Sequence, residues 1–161
     1  MLEEFGRIVI ATVIAWILFL SIDIFWRLPW KGGVSGADSI GKAIAEKGGD
    51  QHGGWMMGNI VCSPDASAGI LLAACGVFVA GIPGGIAAAI LVYIGNRICH
   101  DRGYAGTSGA LIATFVIAAF LQIGFLASDF IAGMVLAILT IQGISHIHAS
   151  RLIGYFWRWR A

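Results

Sequence analysis

Residues 64 to 98 read PDASAGILLAACGVFVAGIPGGIAAAILVYIGNRI. Ser63, Pro64 and Asp65 form a helix start, because a hydroxyl caps the helix, proline fits the first turn and an acid suits the positive dipole end. No further charge appears before Arg97. An apolar helix of about 18 residues or more is long enough to cross a bilayer. This stretch therefore predicts membrane-spanning helix.

The composition of the whole chain supports the same class. Of 161 residues, 58% are hydrophobic and only 12% are charged. A soluble domain of this size needs a larger polar shell, so soluble globular folds are disfavoured. We predict an all-α fold, a polytopic transmembrane helix bundle that occupies residues 1–161 as a single membrane domain. The N-terminal apolar run lacks the cleavage site of a secretory signal, so it is expected to be retained.

The segment Gly81-Ile82-Pro83-Gly84-Gly85 decides the number of spans. If it is a turn there are five, and if it is only a kink there are four. Helix length alone leaves both readings open, because each half is near the lower limit for a span. The predicted spans of the five-helix arrangement are 7–28, 64–82, 83–99, 108–127 and 129–149, with Ser128-Asp129 as a tight turn.

The placement of basic residues favours five spans. With a turn at Gly81–Gly85, every Lys and Arg except Arg7 lies on one side; with a kink, the ten divide six against four. Short cytoplasmic loops carry an excess of Lys and Arg. The expected location is therefore the cell membrane, with the N-terminus outside and the C-terminus cytoplasmic.

The cytoplasmic side is expected to contain one long loop, 31–62, and a tail. Residues 37 to 47 have helical periodicity, which predicts a short amphipathic helix ended by Gly48 and Gly49. The next segment, 53–58, is glycine-rich and apolar, and is interpreted as flexible chain buried under another subunit. The tail, 155–160, is aromatic and basic, as expected of an interfacial anchor.

The chain contains 23 glycines, many of them within the spans. Helices in lipid associate by close backbone approach, which small residues permit. The expected partners are therefore the lipid bilayer and other membrane subunits, which would pack on Gly/Ala-rich helix faces.

Asp23 is the one carboxylate well inside a predicted span, and intramembrane charges are often functional. It is the candidate for a proton path. The competing interpretation is an ion pair with Arg27, four residues later on the same helix face. Asp129 is interpreted as a helix cap.

Several polar residues collect at the predicted cytoplasmic ends. We predict an interface there, with these candidates: His100, Arg102, His146, His148, Arg158 and Arg160. The spacing of the histidines and of Cys62 and Cys99 matches no ligand pattern for a metal or haem. No metal or cofactor is expected.

The sequence has no nucleophile elbow, phosphate loop or paired-carboxylate motif, so no catalytic residue is assigned. A net charge of +1 gives no reason to expect nucleic acid.

Two stretches, Trp26-Arg27-Leu28-Pro29-Trp30-Lys31 and Gly95-Asn96-Arg97-Ile98-Cys99-His100, give the chain a family resemblance. It resembles the small membrane subunits of the energy-converting hydrogenases of methanogenic archaea. The resemblance implies a non-catalytic subunit of a redox-driven ion-translocating complex, which scaffolds membrane neighbours and docks soluble redox subunits. The nickel-iron and iron-sulfur chemistry would then belong to other chains.

Two other functions fit the sequence. One is a small oligomeric transporter or channel, in which the Gly81–Gly85 break lines a pathway. The other is a membrane-embedded lipid enzyme that uses His100, Asp101 and Arg102 near the headgroups.

Overall fold

The computed structural model describes residues 2–25, 35–62, 64–98, 104–143 and 146–160. The prediction of an all-α fold is confirmed. The helices in this part of the chain are α1 (Leu2–Phe25), α2 (Ser35–Glu46), α3 (Gln51–Cys62), α4 (Gly69–Ile98), α5 (Ala105–Leu121), α6 (Ala127–Gly143) and α7 (His146–Arg160). A single π-helical turn, Pro64–Ala68, leads into α4.

The chain divides into two compact units. The first unit contains Met1–Ile22 and Pro64–Ala137, and the second contains Asp23–Ser63 and Ile138–Ala161. The first therefore holds most of α1 and α6 together with all of α4 and α5. The second is built on α2, α3 and α7.

Helix α4 consists of two helical arms that meet at Ala80 and Gly81. Ala80 has φ −141° and ψ 21°, and Gly81 has φ 63° and ψ −150°, a conformation open essentially to glycine alone. The backbones of Gly76 and Gly84 are in direct contact across the break. Eight residues of unbroken helix would separate them by about 12 Å. The chain therefore reverses here, and arms 69–80 and 82–98 pack side by side.

Helix α5 packs against both arms through small residues. A Cβ on Gly69 would lie 2.7 Å from the carbonyl oxygen of Gly106, and one on Gly85 would collide with the side chain of Thr114. The buried Thr114 hydroxyl donates a hydrogen bond to the Ala110 carbonyl oxygen at 2.7 Å, so its polar group is satisfied within its own helix. Many of the buried side chains of this unit are alanines: Ala66, Ala73, Ala74, Ala88, Ala89, Ala105, Ala110 and Ala113.

Helices α5 and α6 are joined by a turn at residues 122–126, earlier than the predicted turn at Ser128-Asp129. Gly124 follows the end of α5 and adopts φ 95°, a non-helical conformation that glycine accepts without strain because it has no side chain. Phe120, Phe125 and Phe130 pack together around the turn, with ring centroids 5.0 to 5.9 Å apart. Beyond it, the stretch predicted as span 129–149 contains most of α6 and the start of α7.

In the second unit, a glycine ends helix α2. Helix α2 occupies the stretch for which the sequence predicts an amphipathic helix. It ends at Glu46. Just beyond it, Gly48 has φ 87°, and the N–H of Gly49 donates to the Ile44 carbonyl oxygen at 2.9 Å. These are the features of a glycine C-cap.

The sequence predicts flexible chain at residues 53–58, but the structure has helix there. The segment forms the first part of α3, and Met56 and Met57 are buried within the chain's own second unit. The prediction was wrong because glycine lowers helix propensity only modestly, and the small faces of Gly53 and Gly54 allow close packing that offsets this cost.

Two helical stretches are long and apolar enough to cross a membrane by length and composition: Glu3–Ile22 and Ala66–Ile98. Shorter apolar helices cover Ala105–Leu121 and Ala127–Thr140. The structure thus contains apolar helices in each region where the sequence predicts a span.

Candidate functional site

A charged pair joins α1 to α6 in the first unit. The Nε of Arg7 donates to Oδ2 of Asp129 at 2.7 Å. The Asp129 side chain is 4% exposed and that of Arg7 is 26% exposed. Burial of an unpaired carboxylate is costly, and a cation or several hydrogen bonds offset that cost. Arg7 supplies the cation.

Asp129 also stabilises the start of its own helix. The N–H of Leu126, which precedes α6, donates to Asp129 Oδ2 at 2.9 Å. An acid in the first turn that reaches back to the preceding N–H satisfies one of the free donors at a helix start. The interpretation of Asp129 as a helix cap is thus confirmed, and the structure adds its ion pair with Arg7.

Small residues bring these two helices together near the ion pair. A Cβ on Gly133 would lie 2.7 Å from the backbone of Ala11 and Thr12. Gly133 is one helical turn after Asp129, and Ala11 is one turn after Arg7. The close approach and the ion pair therefore fix the register of α1 against α6 together.

A second charged cluster lies in the second unit, at Asp50. The Asp50 carboxylate Oδ1 accepts the N–H groups of His52 and Gly53 at 2.9 and 3.1 Å, so Asp50 is the N-cap of α3. Its Oδ2 accepts a hydrogen bond from Nη1 of Arg158, on α7. The backbone N–H of Asp50 donates to the hydroxyl of Ser150 at 3.0 Å.

Burial alone raises the pKa of Asp50, but its hydrogen bonds and charge partner outweigh that effect. The side-chain hydrogen bond from Arg158, the N–H groups of Gly53 and His52, and the positive charge of Arg158 all favour the ionised form. The pKa of Asp50 therefore lies below its ordinary value of 3.8.

Helix α7 crosses α3 at glycines. A Cβ on Gly53 would collide with the Ser150 carbonyl group, and one on Gly154 would collide with the Asp50 carboxylate. On the adjoining face, the Arg151 guanidinium donates to the Gly48 carbonyl oxygen from Nη2 at 2.8 Å, at the C-terminal end of α2. Arginine at that position stabilises the negative end of the helix dipole. One cluster thus holds α2, α3 and α7.

The sequence-predicted site residues are distributed as follows. Asp23 lies in the last turn of α1, and its side chain is outside the described residues, as are its proposed partner Arg27 and the residues His100 and Arg102. His146 begins α7 and Arg160 ends it, both with side chains that are not described.

Two of the candidates can be described in full. His148 is exposed, and Arg158 pairs with Asp50. Arg158 contacts Asp50, and Asp50 in turn contacts Ser150. Neither Asp50 nor Ser150 was among the residues predicted from the sequence. The pair Arg7–Asp129 was also missed, although the sequence carried a signal for it. In the five-span arrangement, opposite charges stand at the outer ends of two apolar helices.

The residues on which the channel and lipid-enzyme alternatives depend either pack against other residues or lie outside the described part of the chain. Gly84 and Gly85 contact Gly76 and Thr114, so that side of the break packs against protein rather than lining a pathway. His100, Asp101 and Arg102 lie outside the described residues. Within the described residues, no group of three or more His, Cys, Asp or Glu side chains is arranged to hold a metal ion.

Comparison with known proteins assigns the chain to a family. A family model described as EhaB-like matches residues 4–160. No curated protein and no solved structure matches the chain significantly. The match covers nearly the whole chain, including both units. The chain therefore belongs to the EhaB-like family, and its resemblance to the membrane subunits of energy-converting hydrogenases is confirmed.

Proposed function

We propose that this protein is a non-catalytic integral membrane subunit of a hydrogenase-type, redox-driven ion-translocating complex. In that complex it scaffolds neighbouring membrane subunits and docks soluble ones. The observation that carries the proposal is the EhaB-like match over residues 4–160. The remaining support comes from the surfaces of the helices.

The first unit exposes large apolar side chains on several helices. On α1 they recur at Phe5, Val9, Val13 and Ile17, one per helical turn, and further ones lie on α4, α5 and α6. Contiguous apolar surface of this kind is unfavourable in water and indicates contact with lipid or protein. It suits a subunit whose outer faces meet bilayer and neighbouring chains.

Five spans remain our proposal for its topology. As one straight helix, Ala66–Ile98 would be about 50 Å long, well beyond a hydrocarbon layer of about 30 Å. The reversal at Gly81 instead gives arms 66–80 and 82–98, of roughly 23 and 26 Å, a mismatch that local thinning of the bilayer accommodates. Every basic residue except Arg7 then lies on the cytoplasmic side with the C-terminus, and the N-terminus lies outside.

The cytoplasmic side is the proposed docking side for soluble redox subunits. His100, Arg102, His146, His148, Arg158 and Arg160 are the proposed contributors. Arg158 pairs with Asp50, so its position on this docking side depends on the fold of the second unit.

Co-purification tests membership of the complex. A tagged chain is purified from its native membranes in mild detergent, and the bound proteins are identified by mass spectrometry. We expect soluble subunits that contain nickel-iron and iron-sulfur centres. Gly95→Ala, at a site with open space around it, should behave like the wild type. A homo-oligomer that carries no redox subunit and moves solute in liposomes would contradict the proposal.

Asp23 is the proposed proton-path residue. Asp23→Asn keeps the size and polarity of the side chain but removes its titration. We expect the complex to assemble normally while ion translocation coupled to electron transfer falls. Unchanged coupling in the assembled complex would leave Asp23 with a structural role only.

A further inference from the structure

Helix α7 has two apolar faces, of which the second unit uses one. Ala149, Ser150, Ile153 and Gly154 are buried on the inner face. The other face carries Leu152, Tyr155, Phe156 and Trp159, spaced as i, i+3, i+4 and i+7, and each is more than half exposed. Trp159 is 85% exposed. These four residues are called the outer face of α7 below.

The charges of α7 are all positive. Arg151 and Arg158 are exposed and lie along one flank of the outer face, since each is about 100° around the helix from its centre. At the N-terminal end of the same face, His148 is exposed. The sequence of α7, HIHASRLIGYFWRWR, has no acidic residue. Arg158 pairs with Asp50 and Arg151 donates to the Gly48 carbonyl oxygen, yet both residues stay exposed, so the outer face has a basic flank.

The chain connections tie this unit to membrane helices. The second unit begins at Asp23, in the last turn of α1, and resumes at Ile138, within α6. A helix the length of α1 measures about 36 Å, slightly more than the hydrocarbon thickness, so its end emerges in the headgroup layer.

We propose that the outer face of α7 lies in the headgroup layer of the bilayer, with its aromatic side chains at headgroup depth. Trp and Tyr concentrate at this depth, because an amphipathic ring is favoured there. Amphipathic helices with one apolar aromatic face and basic flanks bind membranes in this orientation. The inference goes beyond the proposed function, because it holds whether or not the chain assembles with redox subunits.

Depth-dependent quenching tests the proposal on the full chain. Cys62, Cys75 and Cys99 are first replaced by serine. Phe156→Cys and Trp159→Cys are then labelled with a bimane fluorophore and placed in nanodiscs of anionic lipid. One set contains lipid with a nitroxide near the headgroup, and another is exposed to aqueous iodide.

Two reference positions calibrate the readout. Glu46→Cys, exposed on α2, reports water, and Leu91→Cys, exposed on α4, reports lipid. We expect lipid-nitroxide quenching at 156 and 159 to be at least about threefold that at 46, with correspondingly weak iodide quenching. Quenching like that of position 46 would overturn the proposal. Loss of both kinds of quenching in the assembled complex would also overturn it, because a partner subunit would then cover this face.

Discussion

Asp50 connects α3 and α7 through a single side chain and its own backbone. The carboxylate caps α3, binds Arg158 of α7 and lies next to Gly154. Because Arg158 is more than half exposed, the Coulombic contribution of the pair is screened, and about 0.5 kcal/mol is a reasonable expectation. The hydrogen bonds at the cap add about 1 kcal/mol.

The lowered pKa of Asp50 predicts an acid-sensitive second unit. A carboxyl group whose pKa is lower in the folded state contributes stability above its ordinary pKa of 3.8 and loses it as the pH falls through the folded value. We expect the thermal midpoint of this unit to hold from pH 7 to about pH 5 and to drop below about pH 4. Thermal unfolding in detergent, followed by tryptophan fluorescence, measures it.

Asp50→Asn is the control for this pH dependence. Asparagine caps helices nearly as well as aspartate, so the variant removes the titration and keeps the cap. Its midpoint should be slightly lower at pH 7 and should fall less on acidification. An equally steep fall in the variant would assign the acid sensitivity to another group.

Gly53 is the residue at which α3 and α7 come closest. Gly53→Ala adds a methyl group where the Ser150 carbonyl stands, so one helix must shift. We expect a loss of about 1–3 kcal/mol, as for overpacking of a tight core. Denaturant unfolding of the whole chain in detergent measures the change.

Gly95→Ala is the matched substitution. No atom lies within 4 Å of a Cβ at that position in α4, and alanine is the better helix former by about 1 kcal/mol. This variant should be neutral or slightly stabilised. If both variants lost the same stability, the close contact at Gly53 would not be the cause.

At the scale of whole helices, the register of α1 against α6 depends on a buried charge pair. Arg7→Gln leaves the carboxylate of Asp129 buried without its cation, which costs several kcal/mol in a fully buried setting. Because Arg7 is partly exposed, we expect about 1–3 kcal/mol.

The double variant Arg7→Gln/Asp129→Asn should recover most of that loss. It removes both charges and keeps an acceptor for the Leu126 N–H. Thermal unfolding in detergent of the two single variants and the double variant gives the coupling energy between the residues. Additive losses would mean that the two side chains act independently.

For the whole molecule, the reversal within α4 has a topological consequence. With five spans, Cys62 and Cys99 lie on the same, cytoplasmic side of the membrane. Each is tested in a variant that retains only that cysteine. We expect both to react with a membrane-impermeant thiol reagent in inside-out vesicles and to be protected in right-side-out ones. Labelling from opposite sides would exclude the five-span arrangement and favour four spans.

The sequence determined the helical class, the apolar regions and the family resemblance. Apolar length and small-residue content are properties of composition, and no tertiary information is needed to read them. The helix end at Gly48 and the capping role of Asp129 were also accessible, because caps depend on residues within a few positions. The turn between α5 and α6 was predicted at Ser128-Asp129, because these polar residues mark a helix start. The turn lies earlier, at residues 122–126, and Ser128 and Asp129 belong to the first turn of α6.

Only the tertiary structure decided which residues meet. Arg7 contacts Asp129, and Asp50 contacts both Ser150 and Arg158, across separations of about one hundred residues or more. Such pairings depend on which glycines allow helices to approach and on how each helix is rotated, and local sequence specifies neither. The same holds for the 53–58 segment, whose glycines suggest mobile chain when read locally. They form a helix because α7 packs on them, and that packing energy exists only in the folded molecule.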